Sequence, residues 1–154
     1  AGPASSGIWP KRFIGVRVRN SRPRPVPSSS CAFSSVRNTP GAELHPAVDR
    51  ARISRLIPKG ENPALDSYSG FFDNGHVQST GLDEYLKSRH VAKVFVLGLA
   101  TDYCVRFTAL DALTLGYETT LIKAGCRAVN LDPQEGERAL GRLRQAGAAI
   151  WDEA

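Results

Sequence analysis

Cys104 stands where a reactive sulfur would be useful. The run Val94-Phe95-Val96-Leu97 before it has the length and composition of a fully buried strand. Gly98 and Ala100 then let the backbone turn tightly with little side chain in the way. Thr101 or Asp102 can cap the helix that follows, whose apolar positions continue through Val105, Leu110, Ala112 and Leu113 until Gly116. Cys104 therefore falls in the first helical turn at the carboxyl end of a strand, where open parallel sheets bind their ligands. Unpaired N–H groups and the positive end of a helix favour a thiolate at such a place, which opens nucleophilic chemistry at neutral pH. Position alone does not decide this, because a solitary cysteine is most often a small buried hydrophobe. A second candidate is Lys59. Ala51 to Ile57, ARISRLI, alternates apolar and polar residues and reads as a strand that delivers Lys59 from its carboxyl end. Taken by itself, a lysine after a strand is more often solvated than catalytic.

The elements that must position these residues follow in order. Residues 61–80 read as a loop-rich segment whose Tyr68, Phe71 and Phe72 are too apolar for a free surface loop and are expected to fold over the site. Gly81 to Arg89 reads as a short helix with Thr80 as N-cap. After the Cys104 helix, Glu118 to Ile122 is a β-branched run and reads as the next strand. Asp132-Pro133-Gln134-Glu135 combines an N-cap, a first-turn proline and an N3 glutamate, which predicts a helix with Ala139, Leu140, Leu143 and Ala146 on its apolar face and Gly147 at its end. Ala148 to Trp151 closes the chain as a short strand. This alternation implies right-handed crossovers and an α/β fold, three-layer and Rossmann-like, with a mostly parallel sheet and helices on both faces.

A chain of 154 residues makes one domain at most and can bury a real core. No apolar run approaches the roughly 18 to 20 residues of a membrane span, and the first 30 residues lack the apolar segment of a signal peptide. Cys31, Cys104 and Cys126 have no CxxC spacing and cannot all pair, so a reduced, cytoplasmic setting is expected. His45, His76 and His90 show no metal-ligand spacing. The net charge of +5 is unevenly placed: residues 1–40 carry seven Lys or Arg and no acid, whereas the remaining 13 Lys or Arg face 15 Asp or Glu, leaving −2. Residues 1–35 are rich in Arg, Pro and Ser and are expected to be disordered, with only Phe13 to Val18 alternating as a strand would. Charge without aromatic or structured support does not make a nucleic-acid arm, so neither nucleic acid nor membrane is an expected partner.

Four segments carry a family resemblance: KGENPALDSYSGFFDNG, STGLDEYL, GLATDYCVRFTALDALTLGYE and GCRAVN. Within residues 36–154 they resemble, in the same order, the nicotinamidases (pyrazinamidases) of the isochorismatase-like cysteine hydrolases. The resemblance implies hydrolysis of nicotinamide to nicotinate and ammonia through a cysteine thioester, as in NAD salvage. It makes Cys104 the nucleophile and Lys59 the cation that stabilises its thiolate. It puts the oxyanion hole at the backbone N–H groups of Ala100 and Cys104, and a cis peptide at Leu99-Ala100. Tyr68 would lie along the pyridine ring, with Tyr103 also in the pocket, and Cys126 would be structural. The family also uses a divalent metal (zinc, iron or manganese) and an N-terminal catalytic Asp. Here the sequence departs: it holds no DxQxDF-like, DWHP-like or WPxHC-like segment, and the third metal-ligand position falls on Ser34. Asp66 and Asp102 are stand-in bases by sequence proximity only. The absent segments, with Ala1 rather than Met at the start, suggest a truncated or misread product whose residues 36–154 are the C-terminal part of the hydrolase domain. Two readings follow: an amidohydrolase for nicotinamide or another small amide, or an inactive remnant of the fold, stable only as a homo-oligomer if at all.

Overall fold

The computed structural model describes residues 13–18, 43–44, 46–62 and 65–152. After β1 (Phe13–Val18), strands and helices alternate: β2 (Ile53–Lys59), α1 (Leu82–Ser88), β3 (Lys93–Leu99), α2 (Arg106–Thr114), β4 (Glu118–Arg127), α3 (Glu135–Gln145) and β5 (Ala149–Trp151). Every pairing between these strands is parallel, β1 with β2 in one sheet and β3-β4-β5 in the other. Parallel neighbours joined through helices are the α/β architecture that the alternation implies. β1 is the segment Phe13 to Val18, paired through Val18 with Lys59 of β2. It lies inside the stretch expected to be disordered; the rest of residues 1–35 falls outside the described residues, as do Cys31, Ser34 and His45.

Two apolar clusters hold the elements together. In the first, Val105 and Ala109 meet Leu121 and Cys126 of β4 and Leu140 and Leu143 of α3. The second joins Ile57 of β2, Phe71, Leu82 and Leu86 of α1, Ala112 of α2 and Tyr117. α3 has the predicted face, with Ala139, Leu140 and Leu143 buried, although Ala146 is exposed. It begins two residues later than the capping pattern suggests, with Gln134 rather than Asp132 as N-cap. Asp132 Oδ1 accepts from Gln134 N in the preceding turn, and Asn130 Oδ1 takes Gly136 N instead. At the other end Gly147 has φ +101, a conformation that suits glycine. α1 starts at Leu82 with Gly81, in the left-handed conformation, as its N-cap instead of Thr80; Thr80 Oγ1 accepts from Leu82 N at 3.2 Å just ahead of it. β4 extends to Arg127, well past the predicted Ile122, with its register against β3 shifting between Val96 and Gly98.

The expectation of a fully buried β3 is not met. Val94 and Val96 are half-buried against the two clusters, whereas Phe95, Leu97 and Leu99 are 37%, 49% and 71% exposed. A strand is buried on both faces only where layers cover both. The helices touching β3 share its Val94/Val96 side, and among the described residues β3 pairs on one edge only, with β4. Among the described residues no helix is long and apolar enough to cross a membrane.

Candidate active site

Lys59 ends β2 and Cys104 follows β3, and the two side chains meet. Lys59 is only 4% exposed, and its Nζ donates to Ser67 O at 2.6 Å, to Tyr68 O at 2.7 Å and to Cys104 Sγ at 3.3 Å. Three acceptors match the three protons of an ammonium group. A buried cation needs such partners, since desolvation penalises the charged form. Burial accordingly pushes Lys59 below the ordinary lysine range, while attraction to Cys104 and the hydrogen bond to its sulfur pull it back up.

The sulfur's position comes from an irregular helix start. The Leu99-Ala100 peptide is cis, as the resemblance implies. Ala100 then accepts from Tyr103 N at 3.1 Å and from Val105 N at 3.0 Å, the second bond reaching across five residues. Thr101–Val105 is therefore a wide π turn, which α2 continues at the normal pitch. Such turns occur often at functional sites because they re-aim one side chain. Of the expected oxyanion donors, Ala100 N precedes this turn and Cys104 N lies within it.

The aromatic wall comes from two elements. Tyr68 meets Tyr103 edge-on with centroids 5.5 Å apart, and its ring also lies 5.5 Å from Phe107, tilted by 31°. The Arg106 guanidinium lies 4.8 Å from the Phe107 centroid. Thr108 sits one turn beyond Cys104; its hydroxyl donates to Cys104 O at 2.6 Å and accepts from Gly70 N at 2.8 Å. Neither Phe107 nor Thr108 was expected at the site. Their spacing from Cys104, three and four residues along a helix, is the signal that places them on its face.

Other expectations need correction. Asp102 does not cap the helix: it is fully buried, and its two carboxylate oxygens accept from Val129 N at 3.1 Å and Asn130 N at 2.8 Å. Both oxygens are thus committed to tying the helix start to the loop after β4, which removes Asp102 as a stand-in base. Thr101 does not cap either, since the helical run begins without a side-chain cap. Asp66 accepts from Asn74 N at 2.9 Å through its backbone carbonyl, bracing the loop. Phe71 and Phe72 do not fold over the site; Phe71 is buried against Tyr117 in the second cluster and Phe72 stacks on His76. Cys126 is 5% exposed and its Sγ donates to Ile122 O; burial pushes its thiol up, which suits a structural residue. A shallow pocket beside Lys59, lined by Gly60, Glu61, Asn62 and Thr80 among others, does not include Cys104. Among the described residues no three His, Cys, Asp or Glu come together as a metal-holding group, so the described residues do not fit the metal the resemblance implies.

Comparison with known proteins agrees with the geometry. Residues 13–154 match the profile of the Isochorismatase domain, a match that begins ahead of the four motifs. The nicotinamidase of Escherichia coli is 49% identical over 116 residues, 75% of this chain and 54% of that protein. A crystal structure of PnC1 from L. infantum in complex with nicotinate superposes with a TM-score of 0.76 at 32% identity, over 90% of this chain and 71% of that one. The pyrazinamidase of Pyrococcus horikoshii in complex with zinc gives a TM-score of 0.74 at 31% identity, over 92% and 75%. These likenesses establish the three-layer α/β fold of the isochorismatase-like hydrolases. The chain spans about half the length of the curated relatives it matches.

Proposed function

The chain belongs to the isochorismatase family, and we propose that its site hydrolyses nicotinamide to nicotinate and ammonia through a thioester on Cys104. The observation that carries this reading is the 3.3 Å contact between Lys59 Nζ and Cys104 Sγ. The sulfur attacks the carboxamide carbon, and the carbonyl oxygen gains negative charge. The backbone N–H groups of Ala100 and Cys104 receive that charge; such preorganised donors typically contribute about 3 kcal/mol each. The C–N bond then breaks and the nitrogen departs as ammonia, taking up the proton that the thiol gave up, which leaves the acyl group on sulfur as the thioester. Water attacks the acyl carbon, the C–S bond breaks, nicotinate leaves as its acid, and the remaining water proton returns to the sulfur. Lys59 Nζ lies within hydrogen-bond reach of Sγ, and its ammonium compensates the charge on sulfur between steps. Tyr68 and Tyr103 offer the aromatic surface for a flat ring.

No step is assigned to a metal or to a carboxylate base: no metal-holding group comes together among the described residues, and both carboxylate oxygens of Asp102 accept from backbone N–H groups. Turnover by this chain is therefore expected to be low. General acid–base catalysis alone typically contributes about 10²- to 10⁴-fold. A second reading, a non-catalytic member of the fold that assembles as a homo-oligomer, is favoured by one observation: Phe95, Leu97 and Leu99 leave one face of β3 apolar and exposed. Ammonia release from nicotinamide by the purified chain, with Cys104→Ala as blank, separates the two. Cys104-dependent release supports the hydrolase, and equal signals from both proteins support the second reading. Nicotinate formation without dependence on Cys104 would overturn the assignment of the nucleophile.

A further inference from the structure

We infer that Thr108 is a positioning residue for the nucleophile, the hinge pin of a closed hydrogen-bond circuit that begins and ends on Cys104. The inference rests on the reading of Cys104 as an activated sulfur. The circuit runs from Cys104 O to the Thr108 hydroxyl at 2.6 Å, and from there to Gly70 N at 2.8 Å. It continues back along the loop to Tyr68 O and Ser67 O, which hold Lys59 Nζ at 2.7 and 2.6 Å, and it closes from Nζ to Cys104 Sγ at 3.3 Å. A threonine in a helix often donates to the carbonyl four residues back, and that bond alone means little. Here the same oxygen also accepts from a backbone N–H that is 38 residues distant in sequence. A hydroxyl can donate once and still accept, so both bonds coexist without competition.

The consequence is geometric. Lys59 reaches the sulfur from β2, which shares no ladder with β3 among the described strands. Sheet register therefore does not fix the distance between the two side chains. What fixes the ammonium is the pair of loop carbonyls, and what ties that loop to the helix bearing Cys104 is Gly70. Its N–H is taken by Thr108, and its carbonyl accepts from Thr80 Oγ1 at 2.7 Å. Phe107, against the Tyr68 ring, seals the same junction. Cys104, Phe107 and Thr108 share one face of the helical run, and all three contact the delivery of Lys59 and Tyr68 rather than the core.

The test is the site-resolved rate of iodoacetamide alkylation as a function of pH, with Cys126 as internal reference and melting temperature measured alongside. Thr108→Val keeps shape and removes the hydroxyl. It is expected to slow Cys104 alkylation at neutral pH by about fivefold to tenfold, the equivalent of one typical hydrogen bond in free energy. Its pH profile should shift to higher pH while Cys126 is unaffected. Thr108→Ser should restore the parent profile. Where the valine variant unfolds, Thr108→Ala replaces it. An unchanged Cys104 profile in a folded Thr108→Val or Thr108→Ala, or a Thr108→Ser variant as slow as valine, overturns the inference. If the parent's Cys104 reacts no faster than Cys126, the reading of an activated nucleophile fails first, and the outcome is distinguishable from a failure of Thr108 alone.

Discussion

Replacing Lys59 by methionine tests the centre of the site. The substitution keeps a long apolar stem and removes the ammonium that meets Ser67 O, Tyr68 O and Cys104 Sγ. Two unit charges 3.3 Å apart at an effective dielectric constant of about 20 interact by about 5 kcal/mol. Cys104 is partly exposed, so solvent screens part of that, and a loss of about 1.5 to 3 kcal/mol, or roughly tenfold to a hundredfold in reactivity, is the realistic expectation. The assay is alkylation of Cys104 by iodoacetamide at pH 7, resolved from Cys126 by peptide mass spectrometry. A rate equal to the parent's would refute the claim that Lys59 activates the sulfur. Stability carries a second signature. Burial holds the Lys59 pKa below its ordinary value of about 10.4, so between the two values the unfolded chain binds more protons and native stability rises with pH. Lys59→Met should abolish that rise. It also leaves two loop carbonyls without their donor, at about 1–3 kcal/mol each, partly offset by no longer burying a charge.

Two further outcomes follow from packing and ionisation away from the sulfur. A Cβ at Gly136 would lie 2.6 Å from Ala128 Cβ and 3.0 Å from Asn130 Oδ1. Gly136→Ala should therefore destabilise by about 1–2 kcal/mol in urea unfolding despite alanine's better helix propensity, and a stabilised variant would contradict the geometry. Burial, with the hydrogen bond to Asp83 and its charge, pushes the Tyr117 phenol well above its ordinary value. A raised pKa in the folded state contributes stability that is complete below about pH 10 and is lost as pH climbs beyond it. Tyr117→Phe should lose about 1 kcal/mol at pH 7 and remove its share of that alkaline fall, and parallel pH curves for the two proteins would argue against it.

How much of the fold and the site is legible in the sequence depends on how local each cause is. Cys104 after a strand and Lys59 at the end of another were readable because strand, turn and helix signals lie within a few residues of them. Burial of β3 was not. Val-Phe-Val-Leu has the same composition whether one face is covered or both, and the difference lies in what packs from elsewhere. Asp102 was misjudged for a related reason. An acid at a helix start reads as a cap, but its acceptors are filled by Val129 and Asn130, 27 and 28 residues away. At the start of α3 the sequence points to Asp132 as the cap, yet Asp132 Oδ1 takes Gln134 N in the preceding turn and Asn130 Oδ1 captures Gly136 N. Phe71 was read as a site residue because an aromatic in a loop needs a cover; its cover is Tyr117, in the core.

These differences bear on why the site can be assembled beside an incompletely covered strand. β3 leads into the turn that carries Cys104, yet its outer face is apolar and exposed, and its pairing among the described strands is with β4 alone. If the site depended on sheet register, such a strand would be a poor foundation, since an uncovered apolar edge invites slippage and association. The observed contacts run another way. Val105 and Ala109 anchor the helical run to β4 and α3, while Asp102 pins its start to the loop after β4. Ile57, Phe71 and Ala112 join β2, the loop and α2 in the second cluster. Among the described residues, Lys59 and Cys104 are thus brought together by two helix-to-loop seams, one apolar and one through Thr108, and not by a shared ladder. On this account the reactivity of Cys104 should respond strongly to substitutions along those seams and weakly to Phe95→Ser or Leu97→Ser on the exposed face of β3. Solubility should answer to those two serine variants, because that face is where association would begin. A large fall in Cys104 alkylation from either serine variant, with folding intact, would mean that β3 positions the sulfur after all.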